Sequence, residues 1–455
     1  MEIKSLILSD VGRFSELKIQ LAPTATHSSN VTVLVGNNGA GKTTLLRSLA
    51  TSLSWLVARI RTERGSGNYL ADQDIRNGAI VGVISIIVTD HSQPHLNGSG
   101  PESNHPHFLW GIARGKQGRK TAVHSELANV SRLADHYRTQ LTENDKASLP
   151  LIAYYPVERS VLEIPLKIKT KHSFDQLDGY DNSLNRGVDF RRFFEWFRQR
   201  EDSENETGIS DAALAEVSKK LGNDSDAWKT LSKLKASSRD PQLAAVRSAI
   251  TDFMPGFTNL RVQRKPRLHM AIDKNGVTLN VAQLSQGEKL MMALVGDIAR
   301  RLAMMNQTLE NPLHGDGIVL IDEVDLHLHP KWQRSLIRQL SETFPNCQFV
   351  LTTHSPLVIS DAKEVLVYVL SDGELHEHKG LYGMDANQVL LEVMDTDIRN
   401  SDVQKRLNQL LKEVQDGNLD KAKLLFTELS SELPEGHIEL AKASLLIRKL
   451  ELRRA

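Results

Sequence analysis

The 455-residue chain has one cysteine, Cys347, which excludes a disulfide framework and a cysteine-based zinc site. A lone thiol suits a reducing cytosol, so a cytoplasmic location is expected. No apolar run approaches 18 residues, so no membrane-spanning helix is expected. Residues Met1–Phe14 are charged and alternate in polarity, unlike a secretory leader. An excess of either charge is also missing: Lys+Arg and Asp+Glu each number 56, for a formal net charge of zero. That excludes a uniformly basic coat for nucleic acid and leaves room for local basic patches. Internal repeats and low-complexity tracts are absent as well. What remains is ordinary for a soluble globular protein, with 40% hydrophobic and 25% charged residues. The length allows about three domains and a large core.

Ile3 to Leu21 alternates and breaks at Gly12–Phe14, which predicts two strands and a turn. A short strand, VTVLV, precedes a glycine-rich loop and a helix from about Lys42 to Ile60. Ala79–Asp90, Phe108–Arg114 and Leu149–Pro156 read as strands, with a polar loop at Asp90–Pro106. Phe190, Phe193, Phe194 and Phe197 share one helical face, beside Trp196. The acidic run Glu201–Thr207 reads as a linker. Leu260–Val281 returns to strand alternation. Then come a helix to Met305, a strand at Ile318–Ile321, a helix at Lys331–Thr343, a strand at Cys347–Thr352 and a hairpin around Asp372-Gly373. From Asp385 the chain is helical and highly charged.

The strongest motif is Gly36-Asn37-Asn38-Gly39-Ala40-Gly41-Lys42-Thr43, which fits G-x-x-x-x-G-K-[ST] between a strand and a helix. Backbone N–H groups from Asn37, Asn38, Gly39, Ala40 and Gly41 to Thr44 can wrap phosphates. Lys42 supplies a point charge and the Thr43 hydroxyl a Mg²⁺ ligand. The apolar run Gly317–Ile321 then delivers Asp322 and Glu323 to a strand's C-terminal end, where ligands bind in open α/β sheets. Asp322 would hold Mg²⁺ and Glu323 would polarise the attacking water. Leu284-Ser285-Gln286-Gly287-Glu288-Lys289 opens a helix, with Ser285 as N-cap and Glu288 completing a capping box. It is either a cap alone or the signature of ABC-type ATPases, in which Ser285, Gly287, Glu288 and the helix start close on the γ-phosphate of another subunit. The order and completeness of the motif set favour the signature. His354, in Thr352-Thr353-His354-Ser355-Pro356, ends the next strand about 30 residues after Asp322. A lone histidine is more often structural, but this placement suits a switch histidine at the γ-phosphate. Asp325 lies in the adjacent loop. The candidate catalytic residues are therefore Lys42, Glu323 and His354, and the candidate metal ligands Thr43 and Asp322.

Together these motifs resemble the ABC-type ATPase heads of the SMC, repair and OLD-like group. LSQGEK and the Asp325-Leu326-His327-Leu328-His329-Pro330 run are closer to that group than to transporter subunits. Thr43 and Ser285 stand about 240 residues apart without sustained heptads, so a long coiled-coil arm is not expected. Tyr154-Tyr155-Pro156-Val157-Glu158-Arg159-Ser160, Phe190-Arg191-Arg192-Phe193-Phe194-Glu195-Trp196-Phe197 and Tyr382-Gly383-Met384-Asp385-Ala386-Asn387 look like the ATPase subunits of Septu anti-phage systems (PtuA). Related heads serve in some retron modules. No glutamine stands at the expected Q-loop; Glu158 and Arg159 follow that strand instead.

The resemblance implies an α/β ABC-type P-loop ATPase head with a helical insertion and a helical C-terminal extension, without a Toprim domain. The expected divisions are an N-terminal lobe at 1–166, an insertion at 167–257, a C-terminal lobe at 258–380 and a helical domain at 381–455. It implies ATP and Mg²⁺, heads paired head to tail in a homo-oligomer, and an HNH endonuclease encoded nearby. Nucleotide would gate DNA cleavage by that complex, with ATP restraining the nuclease and loss of ATP releasing it. DNA would be met through the complex, with no membrane involved. The competing reading is a repair ATPase that binds DNA itself without a nuclease partner. The intact Lys42, Asp322 and Glu323 argue against a scaffold with a dead site.

Other features carry less. Asp395-Thr396-Asp397 has the letters of a Toprim site but follows a helix, not a strand, and no H-N-H pattern is present. His91, His95, His105, His107, His376 and His378 lie in polar loops or a hairpin and read as solvated rather than metal-binding. Arg114–Lys120 and Arg261–Arg267 read as solvated faces before phosphate contacts. Leu407, Leu410, Leu411 and Val414 form an apolar stripe in the tail, which is either a cap on the head or a docking platform for a nuclease.

Overall fold

The computed structural model describes residues 1–92, 106–118, 123–157, 174–185, 190–207, 216–220, 222, 225–371 and 373–454. They form two compact units, Met1–Met384 and Asp385–Ala455.

The first unit opens with a hairpin of β1 (Glu2–Val11) and β2 (Phe14–Gln20). After β3 (Val31–Gly36) and α1 (Lys42–Arg61), β4 (Val81–Thr89) and β5 (His107–Gly115) complete an antiparallel sheet of order β2-β1-β4-β5. Alternating burial along β4, with Ile84, Ile86 and Val88 inward, is the pattern of a sheet with one covered face. Next comes α2 (Ala128–Glu143), a helix the sequence reading did not anticipate. Its buried Val130, Leu133, Ala134 and Tyr137 have the i, i+3, i+4, i+7 spacing that marks a helical face.

After β6 (Leu151–Tyr155) the chain reaches α3 (Phe190–Thr207), α4 (Asp226–Ser238) and α5 (Pro241–Phe253). The four phenylalanines of α3 and Trp196 are all buried. The linker expected at Glu201–Thr207 is the C-terminal part of this helix. Its acids are held by distant partners: Glu201 accepts the Val262 N–H at 2.9 Å, and Arg247 pairs with Glu201 at 2.9 Å and Glu204 at 2.8 Å. Burial raises the Glu201 carboxyl above its ordinary range, against the pull of the Val262 N–H and Arg247.

β7 (Phe257–Gln263), β8 (His269–Lys274) and β9 (Val277–Asn280) form a three-stranded antiparallel sheet. Arginines expected on a solvated face are engaged here: Arg261 pairs with Asp273 at 3.0 Å, and Arg264 pairs with Asp202. On the other basic run, Arg114 pairs with Asp72 at 3.6 Å, while Arg119 and Lys120 lie outside the described residues.

α6 (Gln286–Met305), β10 (Gly317–Ile321), α7 (Pro330–Thr343), β11 (Cys347–Thr352), α8 (Pro356–Ser360), β12 (Leu366–Ser371) and β13 (Glu374–His378) complete the unit. The central sheet has the order β13-β12-β3-β11-β10-β6. All its neighbours pair in parallel except the β12–β13 hairpin. VTVLV, GIVLI and CQFVLT are buried throughout, which is why these strands read as continuous apolar runs. Helix α6 is buried from Leu290 to Met305, Asp297, Arg300 and Arg301 included. Asp297 takes Arg300 and Arg301, each at 2.7 Å, and the Tyr155 hydroxyl at 3.0 Å. Burial alone would raise the Asp297 carboxyl; the two guanidiniums hold it below its ordinary range.

The second unit contains α9 (Ala386–Glu392), α10 (Ser401–Gln415), α11 (Leu419–Glu432) and α12 (Ile438–Arg454). Its core joins Leu407, Leu410 and Val414 to Ala422, Leu429, Leu440, Ala443 and Ile447. Leu411, from the same stripe, is half-buried. Among the described residues no helix is long and apolar enough to cross a membrane.

Candidate active site

The site is assembled at the C-terminal ends of three adjacent parallel strands. In register, Leu34 of β3 lies beside Thr352 of β11, and Leu351 of β11 beside Ile321 of β10. The phosphate loop after β3, the Asp322-Glu323 pair after β10 and the Thr352–His354 segment therefore meet by pairing alone.

The loop needs glycine where it turns into α1. Gly41 has φ 108°, and a Cβ there would stand 2.6 Å from the Phe14 ring. The β1–β2 turn thus lies against the loop, and Arg13 donates to the Gly39 carbonyl at 2.7 Å. Arg13 escaped the sequence reading because its motif context is only a turn. Lys42 is buried and donates to the carbonyls of Gly36 at 2.7 Å and Asn37 at 3.2 Å. Burial depresses its ammonium below the ordinary lysine value, outweighing the opposite pull of Asp322, Glu323 and Asp325. An ammonium held on neutral carbonyls beside positive-φ glycines is a cradle suited to an anionic oligophosphate.

The structure brings Thr43 and Asp322 together, the Thr43 hydroxyl donating to Asp322 Oδ2 at 2.8 Å. A hydroxyl beside a carboxylate is a hard-oxygen donor set that fits Mg²⁺. Thr352, missed in sequence, holds the other carboxylate oxygen, donating to Oδ1 at 2.6 Å while accepting the Glu323 N–H at 2.7 Å. Glu323 itself has φ 45°, a left-handed conformation uncommon for a residue with a side chain. The Thr353 hydroxyl bonds Asp325 and accepts the Ser355 N–H at 2.9 Å. His354 follows directly. Partial burial and then the Lys42 ammonium push its imidazole below 6.5, the ordinary histidine value.

The signature segment stands separately. Ser285 is exposed, and it and Glu288 cap each other: Ser285 N–H to Glu288 Oε2 at 2.9 Å, Glu288 N–H to Ser285 Oγ at 3.4 Å. Lys274 donates to Glu288 Oε1 at 2.6 Å. Burial would raise the Glu288 carboxyl, but the bonds from Lys274 and Ser285 hold it below its ordinary range. Gly287 is required by a close approach: a Cβ would stand 2.4 Å from the His327 carbonyl. Among the described residues no hydrogen bond joins 284–289 to 36–44. Glu158 and Arg159 lie outside the described residues, as do His95 and His105. His91 pairs with Glu2 at 3.2 Å and His376 with Glu374 at 3.5 Å. Among the described residues no three His, Cys, Asp or Glu side chains cluster as a metal site.

The family described as "AAA domain" matches residues 5–223, and "AAA domain, putative AbiEii toxin, Type IV TA system" matches 135–360. The chain is 32% identical over 395 residues to "Retron Vc95 probable ATPase" of Vibrio cholerae serotype O1 biovar El Tor, covering 82% of this chain and 74% of that protein. It is 34% identical over 397 residues to "Retron Ec83 probable ATPase" of Escherichia coli, covering 79% and 71%. Similarity to "Septu protein PtuA" of Bacillus mycoides (strain KBAB4) reaches 39% over only 94 residues, 21% of this chain and 13% of that protein. Among solved structures, an Smc head bound to the C-winged helix domain of ScpA aligns with TM-score 0.43 and 15% identity, covering 83% of this chain and 98% of that one. The fold is an α/β P-loop ATPase head, and the chain is an ATPase.

Proposed function

Since the chain belongs to the family of the retron ATPases, we propose that it is an ATP-switched enzyme that acts on DNA, its heads pairing head to tail around two nucleotides. The observation that carries this is the division of labour within one subunit. Lys42, Thr43, Asp322, Glu323 and Thr352 gather at one end of the sheet, while exposed Ser285 and half-buried Gly287 sit on a cap that, among the described residues, no hydrogen bond joins to the phosphate loop. A second subunit supplies that cap. In this reading 1–166 and 258–380 are the two lobes of the head and 167–257 its insertion.

Lys42 leaves the Gly36 and Asn37 carbonyls for the β- and γ-phosphates. Mg²⁺, held by Thr43 and Asp322, would neutralise phosphate charge. Glu323 polarises the attacking water, and His354 and Asp325 border the γ-phosphate. Ser285 and Gly287 of the second subunit touch that phosphate only while it is present, so nucleotide state shifts the pairing equilibrium. The test is ATP hydrolysis by this chain alone, with and without duplex and single-stranded DNA, together with sedimentation of Glu323→Gln. DNA-stimulated hydrolysis and ATP-trapped dimers of E323Q are expected. Hydrolysis indifferent to DNA and an E323Q monomer in ATP would refute the reading.

A second reading adds control of an HNH endonuclease encoded nearby. The stretch shared with PtuA supports it, as does a C-terminal helical unit with its own core, available as a docking platform. Plasmid cleavage that requires both proteins and changes with ATP is the expected result. No cleavage by the pair would leave the DNA-acting ATPase alone standing.

A further inference from the structure

Lys274 ends β8, outside every motif of the site. Its ammonium lies 2.6 Å from Glu288 Oε1 and 5.5 Å from the centroid of the Phe257 ring. Phe257 in turn meets Trp332 of α7 edge-on, with centroids 6.5 Å apart. The lysine is therefore held from below while it holds Glu288. The other oxygen of Glu288 accepts the Ser285 N–H. The capping box asks only that one bond of the carboxylate, its reciprocal being the Glu288 N–H to Ser285 Oγ. The Lys274 contact adds a fixed position for the carboxylate, in a place where 13% of the Glu288 side chain is exposed. Such a charge-assisted bond is shorter and stronger than a neutral one.

We propose that Lys274 is a positioning residue for the signature motif: by fixing Glu288 it sets the Ser285 and Gly287 backbone offered to the nucleotide of a second subunit. This rests on the head-to-tail reading. It follows that Lys274 acts in trans, so a defect there harms the neighbour's nucleotide site and spares its own.

The experiment compares Lys274→Gln and Lys274→Arg in the full chain. K274Q is expected to bind a fluorescent ATP analogue like wild type, because the Lys42 loop is untouched, and to show about tenfold lower kcat. K274R, which keeps the charge, is expected to recover most of it. The decisive arm mixes K274Q with Lys42→Ala. In the mixed dimer one composite site joins an intact phosphate loop to an intact signature, so activity should rise several-fold above the sum of the two parts. A control mixture of K42A with Ser285→Arg tests the pairing itself. If the control rises and the K274Q mixture does not, Lys274 supports its own subunit only and the proposal fails alone. If neither rises, the head-to-tail premise falls and takes the proposal with it. Loss of nucleotide binding by K274Q, with no rescue by K274R, would mark a purely structural lysine.

Discussion

Replacing Thr352 with valine keeps the shape of a fully buried side chain and removes one hydroxyl. Two bonds go with it: the 2.6 Å donation to Asp322 and the 2.7 Å acceptance from the Glu323 N–H. The first is charge-assisted, about 1.5–3 kcal/mol, and the second leaves a backbone donor unpaired, about 1–3 kcal/mol. The bonds share one atom and are not additive, so a stability loss of about 2–4 kcal/mol is expected. Catalysis should suffer separately. Asp322 keeps the Thr43 bond but loses its second anchor, and Glu323 loses the acceptor that pins its left-handed backbone. We expect kcat to fall about 10- to 100-fold and the Mg²⁺ requirement to rise, since a misoriented ligand costs that much at a positioned site. Thr352→Ser restores the hydroxyl and most of both quantities. Thermal unfolding and steady-state hydrolysis across a Mg²⁺ titration measure the two effects. Wild-type rate and Mg²⁺ dependence in T352V would show that the hydroxyl positions nothing.

Four further outcomes are expected. Removing the Lys42 charge with K42A should move the His354 imidazole upward in an NMR titration, though not fully, because burial is the larger cause of its depression; an unmoved titration would contradict the geometry. The sign for stability follows: His354 is depressed in the folded chain, so the unfolded chain protonates first as pH falls through 6.5, and acidification should destabilise wild type more than His354→Gln. Asp297→Asn leaves Arg300 and Arg301 buried without a counter-charge, at a cost of about 3–5 kcal/mol, and a melting temperature near wild type would count against that ion network. Residues 385–455 expressed alone should melt cooperatively by circular dichroism, given their separate core; a featureless coil spectrum would deny it.

The phosphate loop was legible because its chemistry sits within eight consecutive residues, and Asp322-Glu323 because a buried strand announces where it ends. The continuous apolar strands gave the parallel sheet for the same reason. Thr352 was not legible. Its role follows from the register that sets Leu351 beside Ile321, which no local pattern encodes. Helix α2 shows the opposite failure, since its i, i+3, i+4, i+7 spacing was present and went unread. At Glu201–Thr207 acidity suggested a linker. Composition misled there because the arginine that neutralises Glu201 and Glu204 stands more than forty positions away, on α5.

Glu288 is the most instructive residue of the site. Motif reasoning placed it with the nucleotide-binding residues, yet both its oxygens are engaged inside the signature segment and by Lys274. A carboxylate brought toward a γ-phosphate without a counter-charge would oppose the pairing it belongs to, by like-charge repulsion that grows as water is excluded. Lys274 removes that conflict while holding the cap in shape. In the head-to-tail reading, the lysine lets an acidic residue complete a helix cap at a surface that must accept a phosphate. Neutralisation makes a further demand on K274Q: its defect should deepen at low ionic strength, where the uncompensated Glu288 charge is least screened, whereas a loss of packing alone would not respond to salt.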